Sequence, residues 1–436
     1  MVTRSVSSWG RLTAEPHDVI PLSRRQSAIA AISRSARPGL AYGNGRSYGD
    51  VCLNPNGVLW ATRGLDRFIE WNSGEGLLEC EAGVTLDEII DLVLPHGWFL
   101  PVTPGTRFIT VGGAIANNVH GKNHHARGCF GDHVERLTLL RTDGSEIVCG
   151  PRQEAGWFAA TVGGLGLTGL IATARLRLLR VPGAWIDVES TPFESLDKFF
   201  DLSSRASSRH EYTVSWIDCG AMRNGRTRGI FVAGDHSAST RTSPRPSLRQ
   251  MPFTPPVSVV NPVTLPAINT LYFHGNRIRR GQKLQHYTSF FYPLDGVLEW
   301  NRLYGPRGFY QYQCVVPEAV QGDAVRELLS VVARSGAGSF LAVLKTFGER
   351  CEVGLLSFAM AGTTLAIDFA NCGASTLALF GRLDAVVATA GGRLYPAKDA
   401  RMPPSLFQSG YPQWSEFEAF RDPGISSQMS RRIAAL

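Results

Sequence analysis

The stretch HGKNHH, residues 120–125, places three histidines, a lysine and an asparagine within six residues. His120, His124, His125 and His133, with Cys129 nearby, have the donor atoms of metal ligands, and His120 and His124 have the spacing that faces one side of a helix. Gly121 and Asn123 form helix poorly, however, and no carboxylate lies between the histidines. A metal is therefore not expected, and one histidine serving as a polar contact to cofactor or substrate fits better. A second group lies in GGRLYPAKDAR (391–401), where a short strand leads through proline to Lys398, Asp399 and Arg401. A lysine so placed can orient a phosphate or stabilise an alkoxide. In FYQYQCVVP (309–317), Gln311 and Gln313 sit two apart on an expected strand and share a face. Two amides there suit sugar hydroxyls. Of only five lysines in the chain, Lys122, Lys345 and Lys398 fall in such motifs, while Lys198 and Lys283 do not.

Three glycine-rich loops accompany these groups: YGNGRSYGD (42–50), PGTRFITVGGAIANN (104–118) and GGLGLTG (163–169). The last has a G-x-G-x-x-G spacing at Gly164, Gly166 and Gly169. An alternating strand follows it where a dinucleotide fingerprint needs a helix, so a Rossmann fold is excluded. The first loop has Tyr48 where the third glycine would stand. Each loop still offers unhindered backbone N–H groups to an anion. Together they point to one large phosphate-bearing cofactor held by main chain.

The elements that must position these residues read as follows. A short amphipathic helix is expected within 20–35 and a strand entering the first glycine loop. Residues 77–101 read as strand, helix and strand, the helix opening on a Thr85/Glu88 capping box. Residues 134–150 read as a hairpin turning at Asp143-Gly144. Residues 169–181 alternate like a strand. From about 183 longer α+β units begin. Residues 235–266 are rich in Pro, Ser and Thr and read as a long loop. Strands are expected in 287–305 and 309–317, and helices in 322–336 and 377–392.

At 436 residues the chain is long enough for two domains, and its 44 % apolar and 19 % charged residues are those of a globular protein. The net charge of +7 comes without a basic run interleaved with aromatics, so no nucleic-acid partner is expected. The eight cysteines are scattered, which argues against a zinc or disulfide framework. No secretory h-region and no apolar run of about 18 residues is present. The expected location is cytoplasmic or peripheral at a membrane.

GNGRSYGD, PGTRFITVGGAIANNVHGKNHHARGCFGDHV, TVGGLGLTG, GFYQYQCVVP and GGRLYPAKDAR, in this order, resemble the decaprenylphosphoryl-β-D-ribose oxidase family of vanillyl-alcohol-oxidase-type FAD enzymes. The resemblance runs over essentially the whole chain, from SSWGR (7–11) to its end. It implies an α+β, two-domain architecture. The FAD-binding domain would span 1–182, completed by 390–436. An inserted antiparallel-sheet substrate domain would span 183–389, with a mobile segment at about 235–283. It implies FAD contacts at Gly43, Asn44, Gly45, Arg46, Ser47, Tyr48, Gly105, Thr106, Thr110, Gly112, Gly113, Ala114, Asn117, Val119, Gly166, Gly169, Ile171 and Tyr395. Related oxidases attach their flavin to a histidine in the first glycine loop; Arg46 in this loop implies non-covalent FAD. The implied reaction oxidises the 2′-hydroxyl of a lipid-phosphoryl ribose to a keto-sugar, which a partner NAD(P)H-dependent reductase converts to the arabinose form, a cell-envelope precursor. Lys398 and His120 would be catalytic. Gly121, Lys122, Trp216, Tyr292, Gln311, Gln313 and Lys345 would bind the lipid-linked sugar phosphate. Alternatives are an oxidase of a soluble sugar, alditol or aldonolactone, and a non-catalytic flavin-binding subunit. Two positions depart from the family: Ala366 replaces the cysteine that covalent inhibitors attack in mycobacterial members, and Leu165 replaces a frequent asparagine. Basic and apolar residues in the 235–283 segment, among them Arg245, Arg277, Arg279, Arg280 and Lys283, suit contact with an anionic lipid surface.

Overall fold

The computed structural model describes residues 2–222, 226–241, 247–350 and 352–434. Three sheets organise it. The first has four strands in the order Val2–Val6, Glu15–Pro21, Val58–Ala61, Gly39–Tyr42. Its outer pair is antiparallel and the others are parallel. The second has five antiparallel strands in the order Phe68–Asn72, Leu77–Glu81, Leu170–Arg177, Val134–Leu140, Glu146–Cys149. The third has eight antiparallel strands: Gly281–His286, Trp185–Phe193, Gly229–His236, Tyr212–Ile217, Ala342–Phe347, Gly362–Ala370, Phe309–Pro317 and Arg393–Leu394. The fold is thus mixed α+β with largely antiparallel sheets.

Local sequence explains the elements nearest the site. Thr85 caps the helix Leu86–Val93, its hydroxyl accepting from Glu88 N–H while the Glu88 carboxylate takes Thr85 N–H. Leu86, Ile89, Ile90 and Val93 form that helix's buried stripe. Each contributes about 1.5–3 kcal/mol by leaving water. The hairpin turns at Asp143-Gly144, with Gly144 at φ 87 and the Asp143 carboxylate accepting from Ser145 N–H. The strand after GGLGLTG, Leu170–Arg177, confirms that this loop does not open a helix.

Two readings are corrected. Residues 287–305 are not strand: Tyr287–Phe291 is a short helix and Trp300–Tyr304 a 3-10 turn, with only Val297–Leu298 extended. Tyr287, Phe290, Phe291 and Tyr292 are all buried and leave no polar face of helical period. The 235–283 segment is not loop throughout: it holds the helix Thr264–Ile278 and the first half of the strand Gly281–His286. Pro266 lies in that helix's first turn, where proline is tolerated. Residues 242–246, which include Arg245, lie outside the described residues.

The C-terminus returns to the first sheet. Ile425 bridges Gly39, and the helix Gln428–Ala434 carries Arg432 against two buried carboxylates. Arg432 grips Asp50 bidentately, at 2.8 and 3.0 Å, and donates to Asp399 at 2.9 Å. This clamp ties the chain's end to the residue following Lys398. Replacing Arg432 by Met strands the Asp50 carboxylate and takes one donor from Asp399, which keeps the Arg401 and Met402 N–H groups, so urea unfolding should show a loss of about 3 kcal/mol. A loss below about 0.5 kcal/mol, the size of an exposed pair, would contradict the clamp.

Candidate active site

The strand Gly39–Tyr42 delivers the first glycine loop to the rim of a cavity of about 560 Å³. The loop is fixed from two directions: Trp9 N–H donates to Ser47 O at 2.8 Å, and Tyr48 N–H donates to Ala397 O at 3.0 Å. Thr110 caps the helix Val111–Ala116, so Gly112 and Gly113 present backbone to the cavity. Tyr395 donates its hydroxyl to Asn117 O at 2.9 Å, joining the second loop to the C-terminal segment.

Of the expected cofactor contacts, Gly43, Asn44, Gly45, Arg46, Ser47, Tyr48, Gly105, Thr106, Thr110, Gly112, Gly113, Asn117, Val119, Gly166, Gly169, Ile171 and Tyr395 all line this one cavity. Ala114 does not; it faces inward from its helix and is fully buried in the core. Leu165 lines the cavity with φ 59, a left-handed backbone that asparagine tolerates better than leucine.

The lining is suited to a dinucleotide with phosphates. A Cβ on Gly105 or on Gly166 would meet no protein atom within 4 Å. The space before these backbones is therefore free for a ligand. Arg46 Nε and Asn117 Oδ1 are buried without a hydrogen-bond partner, and both residues face the cavity. Arg46 is held by its stack on Trp9, 4.2 Å from the ring centre.

The same cavity gathers the chemistry-bearing residues. His120, Gly121, Lys122, Trp216, Gln311, Gln313, Lys345 and Lys398 line it. Tyr292 does not: it is buried behind the wall, its hydroxyl 2.6 Å from Thr103, which itself lines the cavity. Trp216 lies against Tyr272 at 4.7 Å and donates to Phe340 O. Ala366 stands opposite Gln313 in the strand pair and also lines the cavity.

His120 sits between two partners. Lys345 Nζ lies 2.8 Å from its Nδ1 and donates to Gly121 O at 2.8 Å, while the Gln313 amide lies 3.0 Å from Nε2. Burial first, then the Lys345 charge, holds the imidazole well below its ordinary pKa. The Gln313 atom facing Nε2 is its amide nitrogen, which only donates, so Nε2 accepts and the neutral ring's proton sits on Nδ1, where the neutral form of the Lys345 amine accepts it. Burial also pushes the amines of Lys122 and Lys345 down to about 7. Lys122 donates to Phe290 O and lies 4.5 Å from the Phe290 ring centre. Lys398 Nζ lies 3.8 Å over the Tyr48 ring, and burial lowers its pKa while the Asp368 carboxylate raises it.

The remaining histidines leave the site. His125 Nε2 lies 3.0 Å from His210 O, and His133 Nε2 lies 2.9 Å from Arg127 O. His124 joins Cys129 and Glu352 in a buried cluster with donor atoms within 4.8 Å of one another. There His124 Nε2 is 2.9 Å from the Glu352 carboxylate. These contacts brace the loop below His120. Sequence reasoning missed Trp9, Thr103 and Asp368. The first two could be suspected from their proximity to site motifs; Asp368 carries no local signal.

Residues 23–150 match the FAD binding domain family. Cradle and match define the class: this is an FAD-dependent oxidoreductase. A decaprenylphosphoryl-beta-D-ribose oxidase of Mycolicibacterium smegmatis is 36% identical over 100% of this chain and 98% of its own. An uncharacterized protein of Streptomyces coelicolor is 33% identical over 80% of this chain and 100% of its own. An L-gulonolactone oxidase of Mus musculus is 26% identical over 47% of this chain and 43% of its own. By its full-length match, the chain belongs to the decaprenylphosphoryl-β-D-ribose oxidase family.

Gly105→Val should give a folded but colourless protein, because its side chain enters the cofactor space. Full flavin absorbance after purification would refute that placement. The depressed amines set a pH signature: KM for a phosphorylated substrate should rise as pH climbs through about 7 and the amines discharge, while KM for a neutral sugar stays level. Parallel behaviour of the two substrates would refute anion binding by these lysines.

Proposed function

We propose that this protein oxidises the 2′-hydroxyl of a polyprenyl-phosphoryl pentose to a 2′-keto sugar. The observation carrying this is the gathering of three half-buried lysines and two amides with the flavin cradle in one cavity. A phosphate meets the amines, and pentose hydroxyls meet Gln311 and Gln313. A soluble alditol offers no charge to those amines, and the full-length relative's name points to a lipid-linked ribose. The product would be the substrate of an NAD(P)H-dependent keto-sugar reductase, and the two steps together epimerise ribose to arabinose for the cell envelope.

FAD, when bound, supplies the two-electron acceptor for the hydrogen leaving carbon. The chain's own residues hold the sugar and manage the hydroxyl proton. Lys398 is the proposed proton acceptor, since burial favours its neutral form. His120 is the weaker base of the two, its imidazole lying well below its ordinary pKa. Its proposed role is to orient the sugar with Gln313, fixed by Lys345. Lys122 is proposed to meet the phosphate. The glycine loop offers Arg46 and no histidine, which supports non-covalent FAD.

The division into an FAD domain (1–182 with 390–436) and a substrate domain (183–389) is proposed on the separation of the five- and eight-stranded sheets. The lipid tail is proposed to leave past the helix Thr264–Ile278. Tyr272 and Asn276 of this helix line the cavity, while Leu271 and Ile278 are exposed. Nine of the fifteen exposed large apolar side chains among the described residues fall between Leu248 and Ile278, which supports peripheral contact with a membrane. No helix among the described residues is long and apolar enough to cross one.

The test is anaerobic flavin bleaching against a panel of sugars. Polyprenyl-phosphoryl ribose should bleach the flavin; bleaching by free alditols or aldonolactones alone would establish the other oxidase class. Lys398→Ala should retain FAD and lose at least about 100-fold in reduction rate. An unchanged rate would remove Lys398 from its role.

A further inference from the structure

Asp368 lies on the strand Gly362–Ala370 directly opposite Gln311, and its side chain is fully buried. It does not line the cavity, yet it touches two residues that bear on it. Gln311 donates its amide N–H to Asp368 Oδ1 at 2.6 Å, and Tyr304 donates its hydroxyl to Oδ2 at 3.4 Å. Tyr304 is itself fixed by stacking on Phe309 at 4.2 Å. A carboxylate can only accept while it is ionised, so this contact decides which end of the Gln311 amide faces away. The amide oxygen is thereby the end turned away from Asp368, and Gln311 and Tyr48 both line the cavity. The ring of that same tyrosine lies under the Lys398 amine.

We propose that Asp368 is a positioning residue for the oxidation: it holds the Gln311 amide oxygen toward the substrate side and is the buried counter-charge of Lys398. No direct ion pair is needed. Lys398 rests on the electron-rich Tyr48 face, and the carboxylate acts across the Tyr48–Gln311 layer. The division has a chemical use. A lysine in direct contact with a carboxylate would stay charged and could not accept a proton, whereas one with no counter-charge would discharge and lose its hold on an oxyanion.

The charged and titratable groups around the pair are few. Lys398 faces Asp368, Tyr48, Lys345 and His120. Asp368 faces Lys398, Tyr304 and Tyr48, and Tyr48 in turn faces Arg46 and Asp295. Asp368 is the acid that favours the charged Lys398 amine against burial, while burial pushes the Asp368 carboxyl itself up to about 7.

This role rests on Lys398 being the proton acceptor, and the experiment separates the two claims. The limiting rate of anaerobic flavin reduction, at saturating polyprenyl-phosphoryl ribose, is followed against pH. In the parent protein it should rise with deprotonation of Lys398, and Lys398→Ala should abolish that rise. A rise that persists in Lys398→Ala overturns the lysine's role and with it the role of Asp368. Asp368→Asn removes the counter-charge and keeps the shape. It should move the rise to lower pH by about one unit, and Asp368→Glu should move it back toward the parent. Because the Asn amide can also donate, Gln311 loses its fixed orientation, and KM for the sugar should rise severalfold. If Asp368→Asn alters the rate at every pH without moving the rise, Asp368 is merely structural and the proposal falls. Should Asp368→Asn fail to retain FAD, Tyr304→Phe serves instead. It removes one donor from the carboxylate, weakens its ionised form, and should move the rise the same way by a smaller amount. An unmoved rise in Tyr304→Phe then overturns the proposal.

Discussion

Three half-buried lysines line one cavity, and Asp368 is the carboxylate that offsets one of them, Lys398. Moving an ammonium from water to protein interior costs several kcal/mol unless something replaces the water. Here the replacements are weak: the Phe290 carbonyl and ring for Lys122, the Gly121 carbonyl and His120 for Lys345, and the Tyr48 face for Lys398. The site is therefore short of negative charge. An anionic ligand supplies it, and the rest of the architecture is arranged around that deficit.

Holding the amines in fixed places around the cavity requires a rigid frame. Lys345 and Gln313 come from strands that flank Gly362–Ala370, so sheet register sets their spacing. His120 and Lys122 come from the loop ending the second glycine motif, braced beneath by His124, Cys129 and Glu352. Lys398 comes from the C-terminal return, which Tyr395 ties to Asn117 and Arg432 ties to Asp50. The flavin cradle and the amine cluster thus share supports: a shift in the C-terminal segment disturbs both.

What could be read from sequence follows the range of the interactions. The Thr85 capping box and the Asp143-Gly144 turn close within a few residues, and both appear as expected. The glycine loops were legible because their chemistry is carried by main chain. Ala114 and Tyr292 were misplaced by neighbourhood: each adjoins a lining residue but points into the core. The run 287–292 read as strand because its four aromatics are all buried and leave no polar face of helical period. Asp368 was invisible because only its register opposite Gln311 gives it a role. Pairings made across sheets leave no local mark in a chain.

A phosphate-seeking amine cluster beside a flavin cradle fits oxidation at the sugar carbon that the two glutamines present. Deuterium at that carbon tests this most directly. Anaerobic flavin reduction by polyprenyl-phosphoryl ribose deuterated at C2′ should be severalfold slower than by the protiated substrate, because the C2′ hydrogen leaves in that step. Equal rates from the two substrates, or slowing only with deuterium at another ring carbon, would contradict oxidation at C2′.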